Sequence, residues 1–321
     1  MSSWLLLWRV DEDDLYPQRV VIIPATQNRA LYQIDIPERR QRLLAANAST
    51  ISGPQWSSNG RYIIYTSFSS PLADVYLALP QRHYTRRITA DVASRVYGCE
   101  QPSWAPDDRA IAYACGFSFV DLTGSYQHHY TLIIQDQPNW WRKDIQHTTF
   151  LRPQRTGLTT TVGFDGILWS PRGDWIAVGI RHHPLQIWLL RPNEPNTFYP
   201  LTLEGIPNQF IWSSDGKTIF YIDETTPTPT LHRYDVDTNQ QKSWALEWLR
   251  GSSFIMLDES PVQDQLLLAA NVRGLYVFEW DTARYYQLSD EIITEAQWSS
   301  DGRYILYHVD GGPLRLMPAD G

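Results

Sequence analysis

The sequence predicts an all-β protein, a β-propeller built from four-stranded antiparallel blades. A ten-residue motif recurs along the chain, the copies are about one blade apart, and further short strands follow each copy. The fullest copy is Trp298–Tyr307, which reads W-S-S-D-G-R-Y-I-L-Y. The other copies are Trp56–Tyr65, Trp104–Tyr113, Trp169–Val178 and Trp212–Tyr221.

Each copy predicts a β-hairpin. A short strand ends on Trp, and the residues after it (Ser, Pro, Asp, Asn and Gly) are those that form tight turns. Asp and Asn can bond to their own backbone, and Gly adopts a positive φ without steric cost. The apolar residues that follow alternate as in a strand. The Trp is predicted to be an apolar plate packed between neighbouring sheets.

The spacing of the tryptophans sets the length and the number of the blades. The intervals are 48 residues from Trp56 to Trp104, 43 from Trp169 to Trp212 and 86 from Trp212 to Trp298. The last interval is two steps, so a further blade is predicted there, centred on Met256. We expect seven blades, with six as the alternative, in a single domain spanning residues 1–321. The predicted blade limits are 4–47, 51–90, 99–160, 164–203, 208–247, 252–289 and 293–321.

The first blade is the most degenerate. Leu5–Trp8 is predicted to be its inner strand, and Arg19–Ile23 its second strand. The alternative is that Leu5–Val10 forms the outer strand of the last blade and closes the ring. The last blade is predicted to have three strands before Gly321.

The motif W-S-x-D-G-[R/K]-x-I-x-Y, with an L-Y-x-x-D strand and an R-x-L-T strand after it, resembles the TolB-type, WD-like propeller repeat. Similar repeats build the propellers of prolyl-oligopeptidase-like peptidases and of oligogalacturonate lyases. The resemblance covers nearly the whole chain and implies the β-propeller fold. It does not imply one activity, because such repeats serve binding modules and enzymes alike.

The composition argues against several classes of function. A net charge of −8 and a pI near 5.5 disfavour nucleic-acid binding, which usually needs a basic surface. No apolar run approaches the length of a membrane span, so no membrane insertion is expected. The chain has no G-x-S-x-G elbow and no Gly-rich phosphate loop. Its start lacks the features of a secretory signal, which predicts a cytoplasmic protein, or an exported one if the chain is a mature form or a fragment.

The two cysteines fall in the third predicted blade. Cys99 precedes its first strand and Cys115 ends its second. If the hairpin pairs Trp104 with Ala110, the cysteines lie directly opposite each other, where a cross-strand disulfide can form. The alternative is two reduced, small apolar residues. A disulfide would favour an oxidising compartment.

One end of the blades is the predicted binding surface. In a propeller the loops between second and third strands share this end with the connections between blades, and we call it the loop face. Loops on a rigid scaffold commonly carry function. The candidate residues on the loop face are Arg181, His182, His183, Asp223, Glu224, Arg273 and Asp310.

A metal site is a more specific alternative to a general binding surface on the loop face. His182 and His183 with Asp223 or Glu224 are residue types that commonly bind metals. Adjacent residues of a strand point to opposite faces, so both histidines could bind one ion only from an irregular loop. The chain has no H-x-x-x-H, H-E-x-x-H or C-x-x-C spacing. The simpler interpretation is a polar loop, and no metal, cofactor or catalytic residue is predicted. The resemblance to oligogalacturonate lyases implies a metal-binding propeller, but it places no ligand on this chain.

The third blade contains an insertion. Gly116–Gln127 is predicted to extend its loop on the loop face. On the opposite side Trp140, Trp141 and Arg142 combine aromatic rings with a cation, as interaction hot spots do. The alternative interpretation is a loop folded against the edge of the blade.

These observations favour a non-enzymatic propeller scaffold that binds a protein or a ligand through its loop face. The expected partner is another protein or a polymeric or small ligand, and the protein is expected to be a monomer. One alternative is a metal-dependent polysaccharide lyase or hydrolase of propeller fold. Another is a sensor or regulatory domain of a larger protein.

Overall fold

Six four-stranded antiparallel sheets and one three-stranded sheet follow one another along the chain in the computed structural model. The structure describes residues 7–9, 19–22, 30–35, 40–46, 50–69, 72–82, 84–91, 98–120, 124, 126–136, 154–160, 164–181, 185–252, 254–270, 274–312 and 314–319. In each sheet the strands lie in chain order and neighbours pair antiparallel, which is the blade of a β-propeller. Among these residues no helix is long and apolar enough to cross a bilayer.

The described chain forms two compact units. The first unit comprises residues 1–43 and 203–321, and the second comprises residues 44–202. The strands of the first four sheets are β1 (Leu7–Arg9), β2 (Arg19–Ile22), β3 (Ala30–Asp35), β4 (Arg40–Ala46), β5 (Thr50–Trp56), β6 (Ile63–Ser69), β7 (Leu72–Leu79), β8 (Tyr84–Arg87), β9 (Cys99–Trp104), β10 (Ala110–Val120), β11 (Tyr126–Asp136), β12 (Gln154–Thr160), β13 (Phe164–Trp169), β14 (Ile176–Ile180), β15 (Gln186–Leu190) and β16 (Phe198–Pro200). The strands of the last three sheets are β17 (Pro207–Trp212), β18 (Thr218–Asp223), β19 (Thr230–Asp235), β20 (Gln241–Ala245), β21 (Phe254–Glu259), β22 (Gln265–Ala270), β23 (Gly274–Glu279), β24 (Arg284–Ser289), β25 (Ile293–Trp298), β26 (Tyr304–Val309) and β27 (Leu314–Pro318).

The number of complete blades differs from the main prediction. Counted as four-stranded blades, the structure has six, which was the alternative, and not seven. The remaining sheet has only β25, β26 and β27, because no described strand pairs with the outer edge of β27. In the first blade β1 pairs with β2, so the preferred assignment of this segment as an inner strand is confirmed.

The hairpin turns have the geometry that their residues predict. In the fifth blade the Ser213 hydroxyl donates to Asp215 at 2.7 Å and accepts the backbone N–H of Thr218. Asp215 also accepts the N–H of Lys217, and Gly216 has a φ of +68°. The third blade has Asp108 in place of Gly, with a φ of +58°. The same network as around Ser213 forms around Ser57 and Ser299, so in these three hairpins the turn sequence supplies its own hydrogen bonds.

A β-bulge interrupts the first strand of every described blade after the first. The pairing of β9 with β10 shifts by one residue between Ala112 and Ala114, and the other inner strands shift in the same way. In the third blade the bulged Gln101 has a φ of +56°. Its side chain donates to the carbonyl oxygen of Phe164 and accepts the N–H of Gly166 in the next blade. Each bulge thus leaves an extra residue without a partner in the strand pairing, and the side chain of Gln101 uses this position to contact the next blade.

Near the turn, the register of β9 and β10 differs by one residue from the predicted one, and the bulge offsets this difference at the cysteines. Trp104 pairs with Ile111 and not with Ala110, and the shift then brings Cys99 opposite Cys115. The two cysteines form a disulfide and are both fully buried. The residues predicted as a loop at 116–127 are instead largely a hairpin, because β10 and β11 remain paired as far as Val120 and Tyr126.

In the third and seventh sheets the tryptophan that ends the first strand packs against the preceding sheet, and we call a tryptophan at this position the wedge tryptophan. Trp104 donates its indole N–H to the carbonyl oxygen of Gln55 at 3.3 Å and lies 6.4 Å from the ring of Tyr62. Trp298 is 6% exposed and packs with residues of the sixth blade, including Leu267. Burying such a large apolar side chain between two sheets stabilises their packing.

The sixth blade departs from the repeat at this position. Glu259 pairs with Leu266 as Trp212 pairs with Ile219, and it precedes the turn serine Ser260. Glu259 therefore occupies the wedge position, and the prediction of Met256 for the centre of this blade was wrong. The error arose because the turn after Glu259 lacks the Asp and Gly of the repeat, so the motif could not be aligned from sequence.

Candidate functional site

The predicted loop-face residues that the structure describes are Arg181, Asp223, Glu224 and Asp310. Those that lie outside the described residues are His182, His183, Arg273, Trp140, Trp141 and Arg142. Asp223 and Glu224 belong to one polar cluster at the end of the fifth blade, which also contains a buried histidine that the sequence analysis missed. We call Glu204, Asp223, Glu224 and His232 the blade-5 cluster.

Asp223 ends the second strand of the fifth blade and is held in one orientation. The backbone N–H and the hydroxyl of Thr225 both donate to Oδ1, at 2.8 and 2.6 Å. Burial acts to raise the pKa of Asp223, but the bonds from Thr225, a backbone bond from Ile206 and the nearby His232 lower it below its usual value. Asp223 is therefore an ionised, oriented carboxylate.

His232 lies beneath this carboxylate on the third strand. It is 5% exposed and its ring stacks on Tyr221, with centroids 4.7 Å apart and planes 4° apart. Nδ1 lies 2.8 Å from the Ser243 hydroxyl oxygen, and Nε2 has no hydrogen-bond partner among the described residues. Burial lowers the pKa of His232, against the opposing effect of the Asp223 and Glu204 carboxylates. The imidazole is consequently neutral near pH 7.

Gly205 closes the cluster from the connection between blades. Its φ is +73°, and a Cβ there would lie 2.4 Å from Oδ2 of Asp223 and 3.1 Å from Nε2 of His232. The absence of a side chain lets the backbone approach both polar atoms. Beside it, the phenol of Tyr221 donates to the carbonyl oxygen of Glu204 at 2.7 Å.

Glu224 is fixed by the bulge of the same blade. Asn208, which has no partner in the pairing of β17 with β18, donates its side-chain amide to Oε2 of Glu224 at 2.8 Å. Glu204 is exposed, and its backbone N–H donates to the side-chain oxygen of Gln241 at 3.0 Å. The cluster thus presents three carboxylates, two of them held in place, above a neutral imidazole. Such a surface can accept hydrogen bonds from a cationic or donor-rich partner.

The other described candidates do not form such clusters. Arg181 donates to the carbonyl oxygen of Phe164 at 3.0 Å. Its positive charge lowers the pKa of Glu100 in the same unit, against the larger effect of burial, which raises it. Asp310 is exposed, and its backbone N–H donates to the carbonyl oxygen of Ile292. These contacts tie the ends of their own blades together.

Glu295 in the last blade is a buried carboxyl that the sequence analysis did not identify. It is 8% exposed, and its Oε2 has no hydrogen-bond partner among the described residues. Its Cα partner is His308, whose Nδ1 lies 2.6 Å from the hydroxyl of the bulged Thr294. Burial raises the pKa of Glu295 to about 8. In a regular strand, alternation would predict which side chains of β25 are buried. The bulge shifts this alternation by one residue, so the burial of Glu295 cannot be read from the sequence.

This buried carboxyl predicts a pH dependence of stability. Between the ordinary value of 4.5 and about 8, the folded state keeps a proton on Glu295 that the unfolded state has lost. Stability therefore falls as the pH rises through this window. Glu295→Gln is expected to match the wild type near pH 4.5 and to exceed it by on the order of 2 kcal/mol near pH 8.5. Urea unfolding at both pH values measures the difference.

The exposed Glu194→Gln is the control for that experiment, and it should shift stability equally at both pH values. The neighbouring His308, whose pKa is lowered by burial, is present in both proteins, so it largely cancels from the comparison. A difference between Glu295→Gln and the wild type that does not change with pH would contradict the assignment.

No group of three or more His, Cys, Asp and Glu side chains suited to a metal ion occurs in the part of the chain that the structure describes. The blade-5 cluster has only carboxylates and a single imidazole, whose Nδ1 faces Ser243. The metal hypothesis on His182 and His183 lies outside the described residues and stays a prediction.

Comparison with known proteins supports the propeller fold and the resemblance of the repeats to TolB. No family model matches the chain. The Tol-Pal system protein TolB of Francisella tularensis subsp. mediasiatica (strain FSC147) is 28% identical over 111 residues. This match covers 32% of the chain and 24% of TolB, so the chain matches about a quarter of the length of that relative.

Two solved structures share the fold of the chain. TolB from Acinetobacter baumannii superposes with a TM-score of 0.53 at 18% identity, covering 89% of this chain and 61% of that one. An oligogalacturonate lyase in complex with manganese gives 0.67 at 12% identity, covering 98% and 95%. The resemblance to TolB that the repeats predicted is confirmed in sequence and in fold. The chain has the β-propeller fold, and its repeats resemble those of TolB.

Proposed function

We propose that this protein is a non-enzymatic β-propeller that binds a partner on its loop face, through the blade-5 cluster. The observation that supports the proposal is the ionised Asp223 carboxylate, which hydrogen bonds from Thr225 and Ile206 hold in one orientation. An acceptor that is already oriented loses little freedom when a partner binds. The nearby Glu204 and Glu224 favour a partner surface that is basic or rich in hydrogen-bond donors.

The relatives and the disulfide agree with this role. The similar TolB proteins are named as proteins of the Tol-Pal system, and membership of a protein system suits a binding module. The Cys99–Cys115 disulfide suits an oxidising compartment, where such bonds persist. The protein would then act outside a reducing cytoplasm.

The test is affinity capture with a variant that neutralises the cluster. Asp223→Asn combined with Glu224→Gln should retain the partner at least about tenfold less well than the wild type, because charge-assisted hydrogen bonds are lost. Extracts of the source organism supply the partner, and quantitative mass spectrometry measures what is retained.

A matched control removes the same charge elsewhere. Asp281→Asn combined with Glu194→Gln changes two exposed carboxylates in third-to-fourth-strand turns, at the strand ends away from the loop face. The control should capture the partner as the wild type does. Equal capture by all three proteins, with thermal unfolding unchanged, would contradict the proposal.

The enzyme hypothesis is tested separately. If the chain were a metal-dependent lyase, it would retain a metal in a native mass spectrum and would cleave a polyuronate to unsaturated products that absorb ultraviolet light. His182→Ala and His183→Ala should then abolish both signals. We expect neither signal from the wild type.

A further inference from the structure

The wedge position of the sixth blade encloses a cavity at the hairpin-turn end of the fifth and sixth blades. Where the neighbouring blades place Trp212 and Trp298, this blade has Glu259. A cavity of about 520 Å³ lies beside Glu259 and is lined by both blades. This volume falls within the range of small-ligand pockets. It lies at the opposite end of the strands from the blade-5 cluster.

A replacement of this kind is costly for folding. The wedge Trp298 is 6% exposed in an apolar core, whereas Glu259 brings a carboxylate into a partly buried position. Its Oε2 accepts the backbone N–H of Ser214, the second residue of the fifth blade's turn. Burial raises the pKa of Glu259 to about 7 despite this bond. Departures from a local rule that cost stability are typical of functional positions.

One wall of the cavity is aromatic. The rings of Phe220 and Trp280 lie 5.8 Å apart, and the guanidinium carbon of Arg233 lies 4.9 Å from the centre of the Trp280 ring. Trp280 directly follows the third strand of the sixth blade, so its indole reaches the cavity from a different strand than Glu259 does. The Arg233 guanidinium already lies over the Trp280 ring, so this wall is one where a guanidinium packs against an aromatic side chain.

The other walls are acidic. Glu259, Asp215 and Asp264 line the cavity, and Arg233 is the only basic side chain among its described lining residues. The Asp215 carboxylate is already engaged by Ser213 and the N–H of Lys217 in its own turn. Glu259 also accepts a bond, from Ser214, but a carboxylate has about four acceptor sites, so Glu259 can still meet a ligand beside Asp264. The lining thus has an excess of negative charge beside an aromatic surface.

We propose that this cavity binds an arginine side chain of a partner polypeptide. A guanidinium group is planar and always charged, presents five N–H donors to carboxylates such as Glu259 and Asp264, and stacks on aromatic rings. Its three-carbon stem would pass the rim near Pro261 and Val262. The site would occupy the place that a wedge tryptophan fills in neighbouring blades. It is a second binding surface, distinct from the one proposed on the loop face.

The test uses N-acetyl-arginine amide as the probe and N-acetyl-citrulline amide as its uncharged isostere. Calorimetry or ligand-observed NMR near pH 8 should show binding of the arginine probe, at least about tenfold tighter than the citrulline probe. Glu259→Gln should weaken the arginine probe at least about tenfold. Glu259→Trp restores the residue of the repeat, so it should fill the cavity, abolish binding and keep or raise the melting temperature.

Asp281→Asn is the control, since this exposed carboxylate lies in a turn of the same blade and does not line the cavity. It should bind the arginine probe as the wild type does. If Glu259→Trp fails to fold, Glu259→Gln decides alone. No binding by the wild type, equal binding of both probes, or binding unchanged in Glu259→Gln would overturn the proposal.

Discussion

Replacing Trp298 by alanine is expected to lower the free energy of unfolding by about 4 kcal/mol. The indole is 6% exposed and packs against Leu267, Leu275 and Ile305 in the core between the sixth and seventh sheets. Removing it takes away the transfer free energy of a large side chain and leaves a cavity that the two sheets cannot close. Urea unfolding followed by far-UV circular dichroism measures the loss.

Ile292→Ala is the control for this measurement. Ile292 immediately precedes the same strand but is 50% exposed, so its truncation should cost less than about 1 kcal/mol. A loss from Trp298→Ala as small as that of the control would show that the tryptophan does not hold the two sheets together. The repeat would then have to be explained by its turns alone.

Gly274→Ala is expected to destabilise the protein by about 3 kcal/mol. Gly274 starts β23 with a φ of +101°, a conformation that L side chains rarely adopt. A Cβ there would also lie 2.0 Å from the carbonyl oxygen of Ser289, which is backbone and cannot swing away. The strand would have to shift or separate from β24, with which it pairs.

Gly311→Ala separates the two causes. Gly311 has a φ of +64°, but nothing lies within 4 Å of the position of a Cβ. Its substitution should therefore cost only about 1 kcal/mol of backbone strain. The difference between the two variants, measured as the shift in the urea midpoint, gives the cost of the steric clash together with that of the more extreme φ at Gly274. Equal shifts would show that backbone strain alone matters.

The repeat made the fold readable from sequence. Tight turns such as Ser213–Lys217 depend on contacts within a few residues, so their residues predict their geometry. The strands after them alternate in a way that local patterning captures. The last sheet also has the three strands that the sequence predicted, although the count of complete blades is six.

The site was less readable, because it depends on contacts that the local pattern does not contain. His232 looks like any strand residue until pairing places it opposite Ser243 and folding places it under Asp223. Glu259 was missed because its turn has lost the Asp and Gly that mark the wedge position elsewhere. Alignment of Ser260 with Ser213 and Ser299 would have found it from sequence.

The bulges have a consequence for how this surface could vary. Asn208, Ile255 and Thr294 have no Cα partner in their ladders, so strand pairing does not restrict which side chain stands there. Two of them already make contacts near the loop face, Asn208 with Glu224 and Thr294 with His308. Asn208 and Thr294 are therefore positions where a substitution changes the surface and leaves the hairpin pairing intact. A library that randomises these positions would sample new binding specificities on an unchanged scaffold.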